Sequence, residues 1–304
     1  MRISTKLLHF FSALAISGAA SASDFQGELQ DQSRSIVEKT LSGMGRAKNS
    51  GQTWLNWTKY ERGDRSVYAS LMADAEAGSP DAMNVLGHIL VEGVGRPQNI
   101  QEGVRWLQSA ATALPLAKYN LGLLYLQGRG VAQNEARAVE LFQEALAKER
   151  IQQAMVRLLL HYAKVGDRAK TWEWAQKAAE ARNKVGIYYV GRMLMDGTGP
   201  RKDPGAALRW LTQAAEMFSP EAAGLLSDLY RHGLGVDRNE AMSAGWRMIS
   251  TGMAKSGAGR IAVSVGGLSQ GDTERAQRFA SDWLATHRPP KPVEYEKTLP
   301  LLGR

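Results

Sequence analysis

The chain has 304 residues, 44% of them hydrophobic, enough to bury a core without covalent staples. It contains no cysteine, which excludes disulfides, thiolate metal sites and cysteine nucleophiles together. The formal charge is +8, but the basic residues are spread along the chain rather than massed, which argues against a nucleic-acid partner and leaves weak attraction to acidic ones.

Residues 1–22 read as a cleaved signal peptide. Arg2 and Lys6 form a positive start, Leu7 to Ile16 a short apolar run, and Ala20-Ser21-Ala22 the small-x-small pattern of a cleavage site. The run is shorter than the roughly 20 apolar residues a spanning helix needs, so no integral membrane segment is expected after cleavage. No cysteine follows it, which closes the lipoprotein route and makes a bacterial periplasm the expected compartment. Removing residues 1–22 leaves a charge of +6.

Residues 23–65 are expected to form an N-terminal helical cap region. A helix is predicted around Leu29 to Leu41, followed by a Gly/Asn/Ser-rich break at Gly43 to Gly51. Trp54 and Trp57 fall outside the repeat frame that follows; a cap contact is the simplest role for them and a partner anchor the alternative. Ser66 to Ala77 is predicted as the second helix of a degenerate first unit, because Leu71 and Ala75 stand 35 residues before Trp106 and Ala110.

From there the chain repeats. Gly93-Val94-Gly95 recurs as Gly128-Arg129-Gly130, Gly197-Thr198-Gly199 and Gly233-Leu234-Gly235, at spacings of 35, 69 and 36. A second column, Trp106, Leu141, Trp174, Trp210 and Trp246, steps by 35, 33, 36 and 36, and a third follows four residues later at Ala110, Ala145, Ala178, Ala214 and Ser250. Each unit reads as a helix, a glycine turn and a second helix. In the unit beginning at Ala117, Ala117 and Gly122 allow close approach of the paired helix while Leu121 and Tyr125 fill the seam. The glycines supply positive φ. Asn99, Asn134, Asp203 and Asn239 stand where a helix N-cap is needed. The Trp column is expected to be core. The unit from Ala154 to Ala181 lacks the Gly-x-Gly loop and keeps only Lys164-Val165-Gly166-Asp167. Downstream, Asp272 is expected to cap a terminal helix over Thr273–Thr286 with Ala276, Phe279, Ala280, Trp283 and Leu284 on one face, and residues 287–304, rich in proline, an extended tail.

The pattern Ala-x-x-x-Leu-Gly-x-x-Tyr-x-x-Gly-x-Gly-Val, with Leu121, Gly122, Tyr125, Gly128, Gly130, Val131, Ala138, Phe142 and Ala145 in phase, resembles the Sel-one-like repeat, a glycine-punctuated relative of the tetratricopeptide repeat. The resemblance implies an all-α, right-handed solenoid of helix-turn-helix repeats over residues 66–286 with helical caps. It also implies a protein-binding surface on the first helices. That surface is expected at Asp81, Asn84, His88, Glu92, Tyr119, Leu123, Leu126, Val156, Leu160, Tyr188, Arg192, Met195, Asp228 and Arg231, apolar at its centre and charged at its ends. Exported members of the family serve as envelope adaptors or as immunity proteins against phospholipase effectors of type VI secretion. The partner expected is therefore a toxin or a subunit of an envelope complex.

Chemistry is sparse. Outside the signal the histidines are His88, His161, His232 and His287, which fall at different places in the frame, and no nucleophile elbow or metalloprotease motif is present. The Gly-x-Gly loops follow no strand, which argues against nucleotide binding. No catalytic residue, cofactor or metal is expected.

Overall fold

The computed structural model describes residues 50–254 and 268–287. The predicted signal peptide, the helix over Leu29–Leu41 and the tail beyond His287 lie outside the described residues. Within them the regular structure is helical: α1 (Ser50–Glu61), a 3-10 turn (Arg65–Val67), α2 (Tyr68–Glu76), α3 (Pro80–Glu92), α4 (Ile100–Ala111), α5 (Pro115–Gln127), α6 (Glu135–Leu146), α7 (Gln152–Val165), α8 (Arg168–Glu180), α9 (Lys184–Asp196), α10 (Pro204–Glu216), α11 (Pro220–His232), α12 (Glu240–Ala254) and α13 (Gln270–Thr286). Among the described residues, 50–161 belong to one compact unit and 162–254 with 268–287 to a second. Within each unit, consecutive helices pack in pairs.

The repeat frame explains how each pair forms. First helices open on proline at the first helical position in α3, α5 and α11, where its missing N–H costs nothing. They end on a left-handed glycine, Gly93, Gly128, Gly197 and Gly233, with φ of 67°, 68°, 77° and 65°. The loop is pinned by one backbone bond in every full repeat: the N–H of Asn99, Asn134, Asp203 and Asn239 donates to the carbonyls of Leu90, Tyr125, Leu194 and Tyr230 at 2.8–2.9 Å. The same four side chains then cap the second helix, accepting from the N–H of Glu102, Arg137, Ala206 and Met242. Asp167 does so for Lys170 in the unit that lacks the glycine loop.

The second glycine of the loop has a different task. A Cβ on Gly130 would stand 2.4 Å from Ile100, and one on Gly235 would stand 2.5 Å from the backbone at Pro204–Gly205. Each abuts the start of the preceding repeat's second helix, so the absence of a side chain is what lets one repeat stack on the next. Within a repeat, the glycine of the Leu-Gly pair seats the second helix, with Gly122 lying under Phe142 and Gly191 under Leu211. In the last repeat serines replace that contact, Ser227 and Ser243 sharing a buried hydroxyl–hydroxyl bond of 3.1 Å.

The ends are closed by helices. In the first unit Leu71 and Ala75 of α2 are buried as the spacing predicted, and Trp57 and Tyr60 of α1 join them with Ala82, Leu86 and Ile89. Ser50 and Gly51, expected in the break, belong to α1, which begins at Ser50; the rest of that segment lies outside the described residues. In the second unit α13 packs on α12. Its N-cap is Ser269, not the expected Asp272. The Ser269 hydroxyl accepts from the Asp272 N–H and donates to the Asp272 carboxylate, a reciprocal cap. The contact made by α13 is written in the repeat frame. Arg105, Glu140, Glu173 and Arg209 form a charged column facing outward on the second helices, and in α12 that column holds Gly245, with Phe279 2.5 Å from where a Cβ would be.

The Trp column is a partial correction. Trp246 is buried beneath Phe279 and Trp283, but Trp106, Trp174 and Trp210 are only half-buried, and Lys177 lies over the Trp174 ring at 4.2 Å. The fully buried position is one residue on, at Leu107, Phe142, Ala175 and Leu211.

Candidate protein-interaction surface

The first-helix positions proposed for partner contact divide by unit. In the first unit Asn84, His88, Tyr119, Leu123 and Val156 are buried, while Leu126 and Leu160 are half-buried, as are Asp81 and Glu92. The expectation that the first five are open to a partner is therefore corrected, because each is buried inside the chain. The ring of Tyr119 lies 5.5 Å from that of Phe142 on its own second helix. His88 meets Trp57 of α1 edge-on at 5.1 Å. Asn84 accepts a buried bond of 2.9 Å from Asn120 on the neighbouring first helix.

Arg129 completes the closure. It stands between the two loop glycines and reaches back to the preceding repeat, donating to Glu92 at 2.8 Å and to the Val91 carbonyl at 3.0 Å. Sequence reasoning missed this. The signal available was a long cation at a loop position held elsewhere by Val94, Thr198 and Leu234. Burial, and then the Arg129 charge, drop the His88 pKa from 6.5 to about 3, so the imidazole is neutral in the folded chain.

In the second unit the positions equivalent to Tyr119 and Leu123 are less buried. Tyr188, Arg192 and Met195 follow at helical spacing along one face of α9, with Tyr188 and Met195 half-buried and Arg192 exposed. Asp228 and Arg231, both half-buried, stand at the matching positions of α11, which touches α9. Tyr189, a residue not singled out in the sequence, packs edge-on to Tyr188 with ring centres 5.5 Å apart, and Arg192 lies 5.4 Å from the Tyr189 ring. Burial raises the pKa of both phenols against the opposing pull of Arg192. For Arg192 itself burial opposes the charge, but Tyr188, Tyr189 and Asp196 outweigh it and push its pKa up. The result is a fixed cation set against two aromatic rings.

The histidines do not converge. His88 is core, His161 Nδ1 lies 3.0 Å from Glu135, His232 is exposed at the end of α11, and His287 stacks on Trp283 at 4.2 Å. Among the described residues no three His, Asp or Glu side chains form a metal-binding group, and no helix is long and apolar enough to cross a membrane.

Comparison with known proteins agrees with this architecture. Residues 80–113, 115–148, 162–183, 185–217 and 220–246 match the family described as Sel1 repeat, the shortest match falling on the unit without a Gly-x-Gly loop. A Saccharomyces cerevisiae protein named Chitin synthase regulator SKT5 is 28% identical over 204 residues, which cover 61% of this chain and 29% of that protein. The chain thus spans less than a third of that relative's length. Among solved structures it is similar to c5321, described as a protective antigen present in uropathogenic Escherichia coli strains displaying an SLR fold, with 22% identity, a TM-score of 0.62, and coverage of 78% of this chain and 52% of that one. It is also similar to a Sel1 repeat protein from Oxalobacter formigenes, with 20% identity, a TM-score of 0.60, and coverage of 76% and 98% respectively. At these identities the two structures speak to fold.

Proposed function

From the premise that the chain belongs to the Sel1 repeat family, we propose that it is a non-enzymatic, periplasmic protein-binding module that docks its partner on the first-helix face of the second unit. Repeats of this family are protein–protein interaction modules. The observation that carries the choice of face is the open Tyr188–Tyr189–Arg192 cluster, in contrast to the packed positions of the first unit. Aromatic and arginine side chains dominate interface energetics, and here three of them stand together beside Met195, Asp228 and Arg231.

The finer role we propose is immunity, in which the exported chain neutralises a phospholipase effector delivered into the periplasm. Support comes from the signal-like residues 1–22 and from the resemblance to exported family members that serve this role. Growth of cells that direct such a toxin to the periplasm tests it. Co-expression of the exported chain should restore growth, and Tyr188→Ala with Arg192→Ala should abolish rescue without lowering the amount of protein. Failure of the wild-type chain to rescue, when fractionation shows it in the periplasm, would overturn the immunity role.

The relative named as a chitin synthase regulator favours a second reading, an adaptor that regulates envelope assembly rather than a one-to-one inhibitor. Purification of the chain within a complex of several envelope proteins, in cells without the toxin, would establish that role instead.

A further inference from the structure

We propose that α13 acts as a strap on the docking face: the Trp283 ring holds Phe218 in a left-handed turn, and that turn sets how α9 and α11 present Tyr188. The consequence for a partner rests on the protein-binding reading above, but the coupling itself does not. It begins in a column of turns. Second helices α2, α8 and α10 end in the same motif, in which the N–H of Ser79, Asn183 and Ser219 donates back to the carbonyl of Asp74, Ala178 and Ala214. The residue before each donor is left-handed. It is Gly78 in the first unit, at φ 94°, but Arg182 and Phe218 in the second, at φ 56° and 60°. A side chain makes that conformation costly, so its neighbours have to hold it.

The Arg182 turn is held from its own side, since Asn183 is buried and its carboxamide oxygen accepts from the N–H of both Val185 and Gly186. After Phe218 the Ser219 hydroxyl accepts from the Ala222 N–H and donates to Glu221. The Phe218 ring leans instead on α13, edge-on to Trp283 with ring centres 6.0 Å apart, and Trp283 lies edge-on to Trp246 of α12 at 5.8 Å. Two contacts carry the turn to the docking face. The Phe218 carbonyl accepts from Lys184 Nζ at 3.5 Å, and Lys184, a buried lysine, opens α9 one helical turn before Tyr188. Glu221, in the first turn of α11, lies close enough for its charge to act on the Tyr188 phenol. If Phe218 leaves the left-handed well, its carbonyl and the start of α11 move together, so the turn has two states and α13 selects one. Coupling is reciprocal, so a partner seated on Tyr188 tightens α13 in return.

The test is native-state hydrogen–deuterium exchange of the whole chain, read by mass spectrometry. Trp283→Ala should speed exchange over residues 187–191 of α9 and 222–225 of α11 by about tenfold, the factor that one left-handed residue with a side chain represents. Residues of α8 should keep their wild-type rate. Phe218→Gly adopts the left-handed turn without help from α13. In that background Trp283→Ala should loosen α13 yet leave residues 187–191 unchanged. Trp283→Leu takes the place of the alanine variant if the latter does not fold. Exchange over 187–191 that ignores Trp283→Ala, or that rises equally with phenylalanine or glycine at the turn, would overturn the strap. A rise that extends to α8 would also overturn it, because the whole unit would then be opening more often. No partner is present in the measurement, so its failure leaves the protein-binding reading in place.

Discussion

The two units use one repeat frame to opposite ends. In the first, the first-helix columns hold Asn84, His88, Tyr119 and Leu123, each engaged by a neighbour, and Arg129 folds back over the edge of α3 onto Glu92. In the second, the same columns hold Tyr188, Arg192 and Asp228, of which Tyr188 and Asp228 are half-buried and Arg192 is exposed, with Tyr188 edge-on to Tyr189 and Arg192 paired with Asp196 on its own helix. The lesson is that the frame fixes backbone and glycine contacts but not the exposure of the first-helix face. That exposure is decided by a handful of side chains.

Replacing one tyrosine in each unit should break the symmetry most visibly. Tyr119→Ala removes a fully buried ring against Phe142 and is expected to cost about 3–5 kcal/mol in a denaturant melt. The equivalent Tyr188→Ala should cost about 1 kcal/mol, because its ring is half-buried at the surface. Equal losses would mean that the second face is packed as tightly as the first.

His88 sharpens the comparison through pH. Its pKa is 6.5 when unfolded and about 3 when folded, so between those values the unfolded chain binds a proton that the folded chain does not. Its contribution to stability is complete above pH 6.5 and lost as the pH falls towards 3, at up to about 1.4 kcal/mol per pH unit. His88→Gln should flatten the acid limb of the stability curve by that slope. An unchanged limb would contradict burial of the imidazole under α1.

Smaller effects come from the turns between repeats. In the first unit the turn before α3 uses Gly78 at φ 94°, whereas in the second Arg182 holds φ 56° without glycine's freedom. Arg182→Gly should therefore raise stability by about 1 kcal/mol, net of the entropy glycine brings to the unfolded chain. Smallest of all, Arg192→Ala should stay within about 0.5 kcal/mol of wild type, while Arg129→Ala loses about 1 kcal/mol with its two bonds.

Most of the fold was legible because glycine and cap positions admit few residue types. The columns at Gly93, Gly128, Gly197 and Gly233 and at Asn99, Asn134, Asp203 and Asn239 predicted turns and caps that the structure places as expected. The surface was harder to read, because helical phase tells which side of a helix a residue occupies but not what the neighbouring helix brings there. Periodicity could not show that Trp57 would cover His88, or that Arg129 would reach back 37 residues to Glu92. It also placed Trp106, Trp174 and Trp210 in the core, whereas these large rings sit at its rim and the smaller residue that follows each is sealed. One feature was legible and overlooked. A charged column running through Arg105, Glu140, Glu173 and Arg209 stops at Gly245, and that interruption marks where α13 lies.

Hydroxyl-radical footprinting of the free chain, read residue by residue by mass spectrometry, tests the difference between the two faces most directly. Tyr188, Tyr189 and Met195 should oxidise readily while Tyr119, Leu123 and His88 remain protected. Comparable oxidation of Tyr119 and Tyr188 would contradict the division into a packed face and an open one.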